Sequence, residues 1–362
     1  MTTYRDSGVD IEAGDHASRS AYNHAKKTFA SRNSLIGQPV QDDGGFAGFV
    51  DMGDFYYSQC CDTVGTKIMI AEETKNFQGL GYDLLCMVAD DAVCTGAETV
   101  SITNTFETQS ICVEDIDAMM DSLARACIDQ KVAIVGGEIA EVGAMTNGTG
   151  WGADAVGIVE KNKVITGKKI AVGDVIIGLA SDGFRCNGLS LVRKILADAF
   201  GTHWYTASYS PAMNWSQAVL TPSRIYSDFI LSLIGRFKQP RHVDVHGIVH
   251  MTGGGMHNLF RALKDESLGI TIDEALTPKD MMLTLQQLGD VPDHEAYRVW
   301  NMGMGMALIV DQNDADAVKK AARDYGIEAQ IVGRITAEHP QEIHLVSQGH
   351  FSRGETLVFK RD

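Results

Sequence analysis

Twice in its first half the chain runs an apolar, strand-like stretch straight into acidic side chains set among glycines. The first is Cys61-Asp62-Thr63-Val64-Gly65-Thr66-Lys67 and the second is Gly136-Gly137-Glu138-Ile139-Ala140-Glu141. Whatever the chain folds into must present both turns at the ends of buried strands. Gly65, Gly136 and Gly137 let backbone N–H groups approach a polyphosphate closely, and carboxylates beside them can hold the Mg²⁺ that accompanies it. Lys67, following Thr66, adds a point charge for phosphate oxygens. Together these features point to an ATP site other than a P-loop, because G-x-x-x-x-G-K-[ST] is absent from the sequence. For either motif alone the plain alternative is an ordinary turn at Val64-Gly65-Thr66 and a helix cap at Glu138.

At 362 residues the chain exceeds what one hydrophobic core usually supports, so two domains are expected. A formal charge of −16 argues against a protein that tracks nucleic-acid phosphates. No apolar run is long enough to span a bilayer. The polar, acidic start MTTYRDSGVDIEAGD does not resemble a signal or transit peptide, which leaves the cytoplasm as the expected compartment. Seven cysteines without a C-x-x-C pair suit reduced, largely buried thiols, with Cys60 and Cys61 as strand residues.

His242, His246 and His250 are spaced like metal ligands on one helical face. Their segment, HVDVHGIVHMTGGG, is rich in Val and Ile and reads as strand or loop. A single substrate-facing histidine is the better expectation, namely His250 beside Thr252-Gly253-Gly254-Gly255.

Residues 1–45 are polar and end in a glycine-rich stretch through Phe46 and Gly48, either a leader that orders over a ligand or an exposed arm. Strands are expected near 55–61 and 99–105, within KVAIVGG and within ADAVGIVE. Helical periodicity covers about 78–95, with Leu80, Leu84, Leu85 and Val88 on one face, and about 114–129. The lysine-rich turn EKNKVITGKK places a boundary near residue 170, giving halves 1–170 and 171–362. The second half opens with a strand, a polar glycine loop and a helix; such a loop offers free N–H groups to an anion. Helices near 220–235 and 314–325 and strands near 305–310 and 328–333 complete it.

In order along the chain, these motifs resemble the aminoimidazole ribonucleotide synthetase (phosphoribosylformylglycinamidine cyclo-ligase) family. The resemblance takes in Tyr4–Ile11, the Gly44–Gly48 loop, Asp62–Lys67, Gly136–Glu141, Asn187–Lys194, Pro222–Tyr226, His250–Gly255 and Tyr297–Met306. It implies a two-domain α/β (α+β) ATP-binding fold whose N-terminal halves pair their sheets into a barrel across a homodimer. The implied reaction is ATP-dependent closure of formylglycinamidine ribonucleotide to aminoimidazole ribonucleotide, with Mg²⁺ as cofactor and a phosphorylated small molecule as substrate. It further implies Asp62, Asp90 and Glu138 as Mg²⁺ ligands and Glu141 as a supporting contact. Lys67 would contact phosphate beside Gly65 and Thr66, and Gly44, Gly45, Phe46 and Gly48 would fold over the nucleotide. Asn187, Gly188, Ser190, Arg193, His250, Gly253 and Gly254 would face the cleft from the second half.

Four positions depart from the family's pattern. Thr63 stands where it usually has Gly, Ala89 where it has Asn, Asn104 where it has Asp, and Arg185 where it has His. Asn cannot replace a carboxylate's charge, so Asp91 or Glu107 is expected to compensate. Two alternatives stay open: a superfamily paralogue phosphorylating another small molecule, and a catalytically weak dimeric binding protein.

Overall fold

The computed structural model describes residues 3–40 and 45–361, and its strands form one large sheet from each half of the chain. The first contains β1 (Gln38–Val40), β2 (Gly48–Asp51), β3 (Phe55–Thr63), β4 (Glu98–Thr108), β5 (Ala133–Glu141) and β6 (Thr149–Glu160). Their spatial order is β1-β2-β3-β6-β4-β5. Neighbours run antiparallel except β4 and β5. The second half supplies β7 (Val175–Ala180), a small hairpin of β8 (Ser208–Ser210) and β9 (Met213–Asn214), β10 (Val245–His250), β11 (Gly269–Ile272), β12 (Met304–Val310), β13 (Ala329–Thr336), β14 (Glu342–Val346) and β15 (Thr356–Lys360). Seven of these form a mixed sheet in the order β10-β12-β7-β13-β11-β14-β15.

Five helices matter for the site: α1 (Ile11–Phe29), α2 (Lys67–Thr74), α3 (Leu80–Cys94), α4 (Val113–Gln130) and α5 (Leu189–Phe200). Most expected elements form where pattern places them, while the helix expected near 220–235 spans only Ser227–Ile234. β3, aromatic and alternating, makes the strand that carries Asp62, and the periodic segments become α3 and α4. One expectation was incomplete. Among the described residues of the 1–45 stretch, the 19-residue helix α1 is largely exposed and is capped by Asp10, whose side chain accepts from the Ala13 N–H at 3.1 Å. No α1 residue is buried.

Helix α3 exceeds its sequence reading. Its apolar stripe suggests one buried face, yet every residue except Tyr82 and Asp91 is buried. The cause is a double packing: the first sheet and α4 lie on one side, and β10 and the helix Ser227–Ile234 on the other. Gly81 permits the α4 crossing, since a Cβ there would lie 2.0 Å from Leu123 N. One hydrophobic cluster, from Val64 and Leu84 to Leu259 and Trp300, runs through both halves. Acidic residues on α3 are thereby carried into the interior, where each needs a partner.

All seven cysteines are free, with Cys86, Cys94, Cys127 and Cys186 buried and Cys61 and Cys112 exposed. Among the described residues no helix is long and apolar enough to cross a membrane.

Candidate active site

Strand register decides which motif residues can meet. Asp62 pairs with Ala153, Ala153 with Asn104, and Asn104 with Gly137, making one row across the first sheet. Side chains of one row share a face, and Asn104, only 5% exposed, shows that this row faces the α3 side. The next row, Thr63, Gly152, Thr105 and Glu138, faces away, and Thr63, Thr105 and Glu138 are all exposed. Within one chain Glu138 therefore lies on the opposite face from Asp62. Glu141 is exposed as well, and its Oε2 accepts from the Ile111 N–H at 2.8 Å. The expected grouping of Asp62, Asp90 and Glu138 around one ion is not formed by a single chain.

The carboxylate that does approach Asp62 is Asp91, on α3. Burial pushes the Asp62 carboxyl up to about 6, opposed by a hydrogen bond from the Thr63 N–H (2.6 Å) and reinforced by the charge of Asp91. Asp91 rises to about 7, again through burial, against the pull of Arg261 and Arg185. Its Oδ1 sits 2.7 Å from His250 Nδ1 at the end of β10. Burial, aided by the positive charge of Arg185, drives His250 well below its ordinary value, so the imidazole is neutral. Among the described residues the Nε2 of this fully buried ring has no hydrogen-bond partner.

Asp90 has a different task from the one expected. Its Oδ2 accepts from Arg185 Nη2 at 2.7 Å and its Oδ1 from the Tyr226 N–H at 2.9 Å, with the carboxylate fully buried. Arg185 also donates Nη1 to the Gly305 carbonyl at 2.7 Å and lies over the Tyr226 ring. The residue that departs from the family's histidine thus occupies one oxygen of Asp90, the Tyr226 N–H takes the other, and both tie the halves together.

Lys67 is also committed. Its Nζ donates to Asp83 Oδ1 at 2.7 Å and to the Thr221 carbonyl at 2.8 Å, and Lys67 and Asp83 are completely buried. Asp83 Oδ1 further accepts from the N–H and hydroxyl of Ser223 at 2.9 and 2.5 Å. In this structure the Lys67 ammonium is not free for a phosphate. What Asp62–Lys67 presents to the cleft is the turn itself: Gly65 at φ 56° and Thr66, whose Oγ1 lies 3.2 Å from Ser190 Oγ.

The second half supplies the facing wall. Gly188 opens α5 at φ 74°, and a Cβ there would lie 2.4 Å from Trp300 Cδ1, so only glycine fits. Asn187 stands against Gly253, whose added Cβ would be 3.4 Å from Asn187 Nδ2. Asn187 Oδ1 is buried and unpartnered among the described residues. Asn258 Nδ2 fixes the Gly253-Gly254 turn by donating to the Thr252, Gly253 and Gly255 carbonyls at 3.2–3.3 Å. Arg193 on α5 is half-buried. From the first half, Gly45 and Phe46 reach over: Arg261 Nη2 donates to the Gly45 carbonyl at 3.1 Å, and its guanidinium lies 3.9 Å from the Phe46 ring centroid. Gly48 lies in β2, and Gly44 falls outside the described residues.

The three spaced histidines part company. His242 is exposed, His246 Nδ1 pairs with Asp174 at 2.7 Å, and His250 belongs to Asp91. Sequence reasoning missed Asp83, Ser223 and Arg261. Asp83 had a signal, being an acid seven residues before Asp90 inside an apolar helical run; Arg261 had none.

A half-buried acidic pair between two linked α/β halves, walled by glycine turns from both, defines a two-domain nucleotide-chemistry class. Residues 44–159 match the family described as AIR synthase related protein, N-terminal domain, and residues 171–346 match its C-terminal domain. The chain belongs to this family. It is 35% identical to a phosphoribosylformylglycinamidine cyclo-ligase of Thermococcus kodakarensis, over 93% of this chain and 96% of that protein. Its identity to the same enzyme of Methanocaldococcus jannaschii is 34%, over 92% of each. Within the family, it groups with these cyclo-ligases. Solved structures share the fold: a HypE–HypF complex at TM-score 0.62 and 17% identity, covering 88% of this chain and 93% of that one, and AaThiL complexed with AMPPCP and TMP at 0.59 and 12%, covering 93% and 95%.

Proposed function

We propose that the chain catalyses ATP-dependent ring closure of formylglycinamidine ribonucleotide to aminoimidazole ribonucleotide, releasing ADP and phosphate. What carries this reading is the Asp62–Asp91–His250 cluster together with the Asn187–Gly253 and Thr66–Ser190 contacts, in a chain 35% identical to a cyclo-ligase. An amide oxygen is a very poor leaving group. Phosphorylating it gives an imidate phosphate, which the neighbouring amidine nitrogen displaces to close the five-membered ring. The protein's task is alignment and charge neutralisation.

Two desolvated carboxylates, with the charge of Asp91 felt at Asp62, fit a hard divalent cation, and their Oδ2 atoms accept no protein donor among the described residues. Asp62 and Asp91 would hold Mg²⁺, which when bound supplies charge neutralisation at the transferring phosphoryl group. His250 orients Asp91. The Asp90–Arg185 pair and the Lys67–Asp83–Ser223 network fix α3 against the second half. The Gly65-Thr66 turn and Ser190 line the phosphate path, with Gly45 and Phe46 over the nucleotide. Asn187 Oδ1 and Arg193 face the substrate.

Residues 1–170 would form the nucleotide and dimerisation half and 171–362 the substrate half of a cytoplasmic homodimer. Gly136, Gly137, Glu138 and Glu141 lie toward the open face and edge of the first sheet, where a second copy's sheet would pack. A phosphotransferase acting on another small molecule is the second reading, favoured by Arg185 where the family has histidine. ADP release from the purified protein separates the two. The proposal expects release that depends on formylglycinamidine ribonucleotide and yields the cyclised product. ADP formed with other phosphate acceptors, and none with this substrate, would overturn it.

A further inference from the structure

A second set of potential ligands lies well away from the cleft. Glu342 and His344 are two residues apart on β14, and hence on one face of the strand. His339 projects from the loop joining β13 to β14. The ligand atoms of all three lie within 4.8 Å of one another. His344 Nε2 donates to Glu342 Oε2 at 2.8 Å, and the His339 and His344 rings stack with centroids 4.0 Å apart.

The loop that brings His339 here is held on both sides. A Cβ on Gly269 would lie 2.4 Å from the His339 carbonyl oxygen, so only glycine admits this approach over the start of β11. The Gln341 N–H donates to the Leu268 carbonyl at 2.9 Å, the Glu342 N–H to that of His339 at 3.1 Å, and the Arg361 N–H to that of Gln341 at 3.0 Å. His339 itself sits at φ 52°, a left-handed conformation that places its ring beside that of His344.

We propose that His339, Glu342 and His344 form a three-ligand site for a borderline transition cation of the Zn²⁺ class, with the fourth position left to water. Two imidazole nitrogens and one carboxylate oxygen suit Zn²⁺, Co²⁺ or Ni²⁺ and select against Mg²⁺. Ligand atoms around a tetrahedral Zn²⁺ stand roughly 3.3 Å apart, so closure asks up to about 1.5 Å of movement, which the exposed His339 side chain can supply by rotation. Hydrogen bonds from His344 and Lys360 hold the Glu342 carboxyl below its ordinary value, so it is ionised. Lys360, whose Nζ lies 3.0 Å from Glu342 Oε1, places a cation against the site, and with its side chain 74% exposed it can swing away. β14 stands five strands from β10, about 24 Å at the usual strand spacing. The ion would therefore clip the 337–341 loop onto the sheet and take no part in the cleft chemistry.

Calorimetric titration of ZnCl₂ into the tag-free full-length protein, with millimolar Mg²⁺ present, tests this. The expected result is one Zn²⁺ per chain with micromolar affinity. It should weaken about tenfold or more in the His339→Ala/His344→Ala double variant and in Glu342→Gln, and tighten in Lys360→Ala. Unfolding midpoints in EDTA should be the same for variants and wild type, because these side chains lie at the surface. Co²⁺ spectra of the unmodified protein give an independent reading. A d–d band without thiolate charge transfer fits the site, whereas thiolate charge transfer would put the metal on a cysteine such as Cys61 or Cys112 and overturn the proposal. Absence of Zn²⁺ binding at tens of micromolar, or an isotherm unchanged in the double variant, would overturn it equally.

Discussion

Asp62 and Glu138 come from motifs that look alike in sequence, yet the fold treats them in opposite ways. Asp62 stands near the end of a strand inside the sheet, with β6 beside it and α3 beneath, and its row faces α3. Glu138 sits on β5, the edge strand, one register position further and so on the outer face. The surroundings of Asp62 also recruit buried ion pairs: Asp90–Arg185, which crosses between the halves, and Lys67–Asp83, which is tied to the second half through Thr221 and Ser223. Among the described residues, no buried ion pair surrounds the exposed Glu138. An acidic glycine motif thus becomes part of a desolvated site only where its strand is internal and a buried helix lies under it.

The largest effect expected from this contrast is on stability. Lys67→Met leaves Asp83 buried without its counter-charge, which costs about 3–5 kcal/mol. Glu138→Gln, at an exposed edge, should stay within about 0.5 kcal/mol. Urea denaturation of both variants measures the difference, and a Lys67→Met loss below about 1 kcal/mol would erase the contrast.

Turnover should divide the same way. Asp62→Asn removes a carboxylate from the proposed Mg²⁺ pair and should lower substrate-dependent ADP release by about 10²–10³-fold, or roughly 3–4 kcal/mol of barrier. Glu138→Gln should leave the rate within about threefold if each chain acts alone. A large drop in Glu138→Gln would mean that a second copy brings this outer face into the reaction, sharpening the comparison from within one chain to between two.

A smaller effect is expected in pH dependence. Asp62 and Asp91 have folded-state values of about 6 and about 7, both above the ordinary range of a free carboxyl. At these two groups the native state therefore holds more protons than the unfolded chain between about pH 4 and pH 7. The stability contributed by these two groups is fully present below about pH 4 and is lost as pH rises through 6 and 7. Asp91→Asn should flatten this part of a stability–pH profile measured without divalent ions. An unchanged slope would mean that Asp91 is not the desolvated group that sets this side apart from the Glu138 side.

Much of this contrast could be read in the sequence, and the parts that could not share one cause. Strand and helix positions follow from local periodicity, so β3, α3, α4 and the strand–loop–helix opening of the second half stand where pattern puts them. Face and partner do not follow, because they depend on which strands become neighbours. Asp90 was expected to bind metal, and only the approach of Arg185 and Tyr226, 95 and 136 residues later, uses up its oxygens. Lys67 was expected to meet phosphate, and only the burial of α3 beside it supplies Asp83. Helix α1 escaped notice because it buries nothing and so leaves no apolar stripe to read.

Glu107 offers the finest test. It was expected to stand in for the charge missing at Asn104, but strand alternation places it on the outer face, exposed, while Asn104 is buried. Asn104 already has a structural partner, its Oδ1 accepting from Trp151 Nε1 at 3.1 Å, and its backbone lies close under Gly137. Three residues along a strand separate the two by about 10 Å, with the sheet between their side chains. Asn104→Asp can keep the Trp151 hydrogen bond but buries a charge, so its carboxyl should titrate well above the ordinary range and activity should fall modestly. Glu107→Ala should change activity little. In the double variant the two effects should add to within about 0.5 kcal/mol, as expected for groups without a shared partner. Coupling well beyond that limit would mean that charge on the outer face is felt at the Asp62 row, and the sheet would no longer divide the two regions as its register indicates.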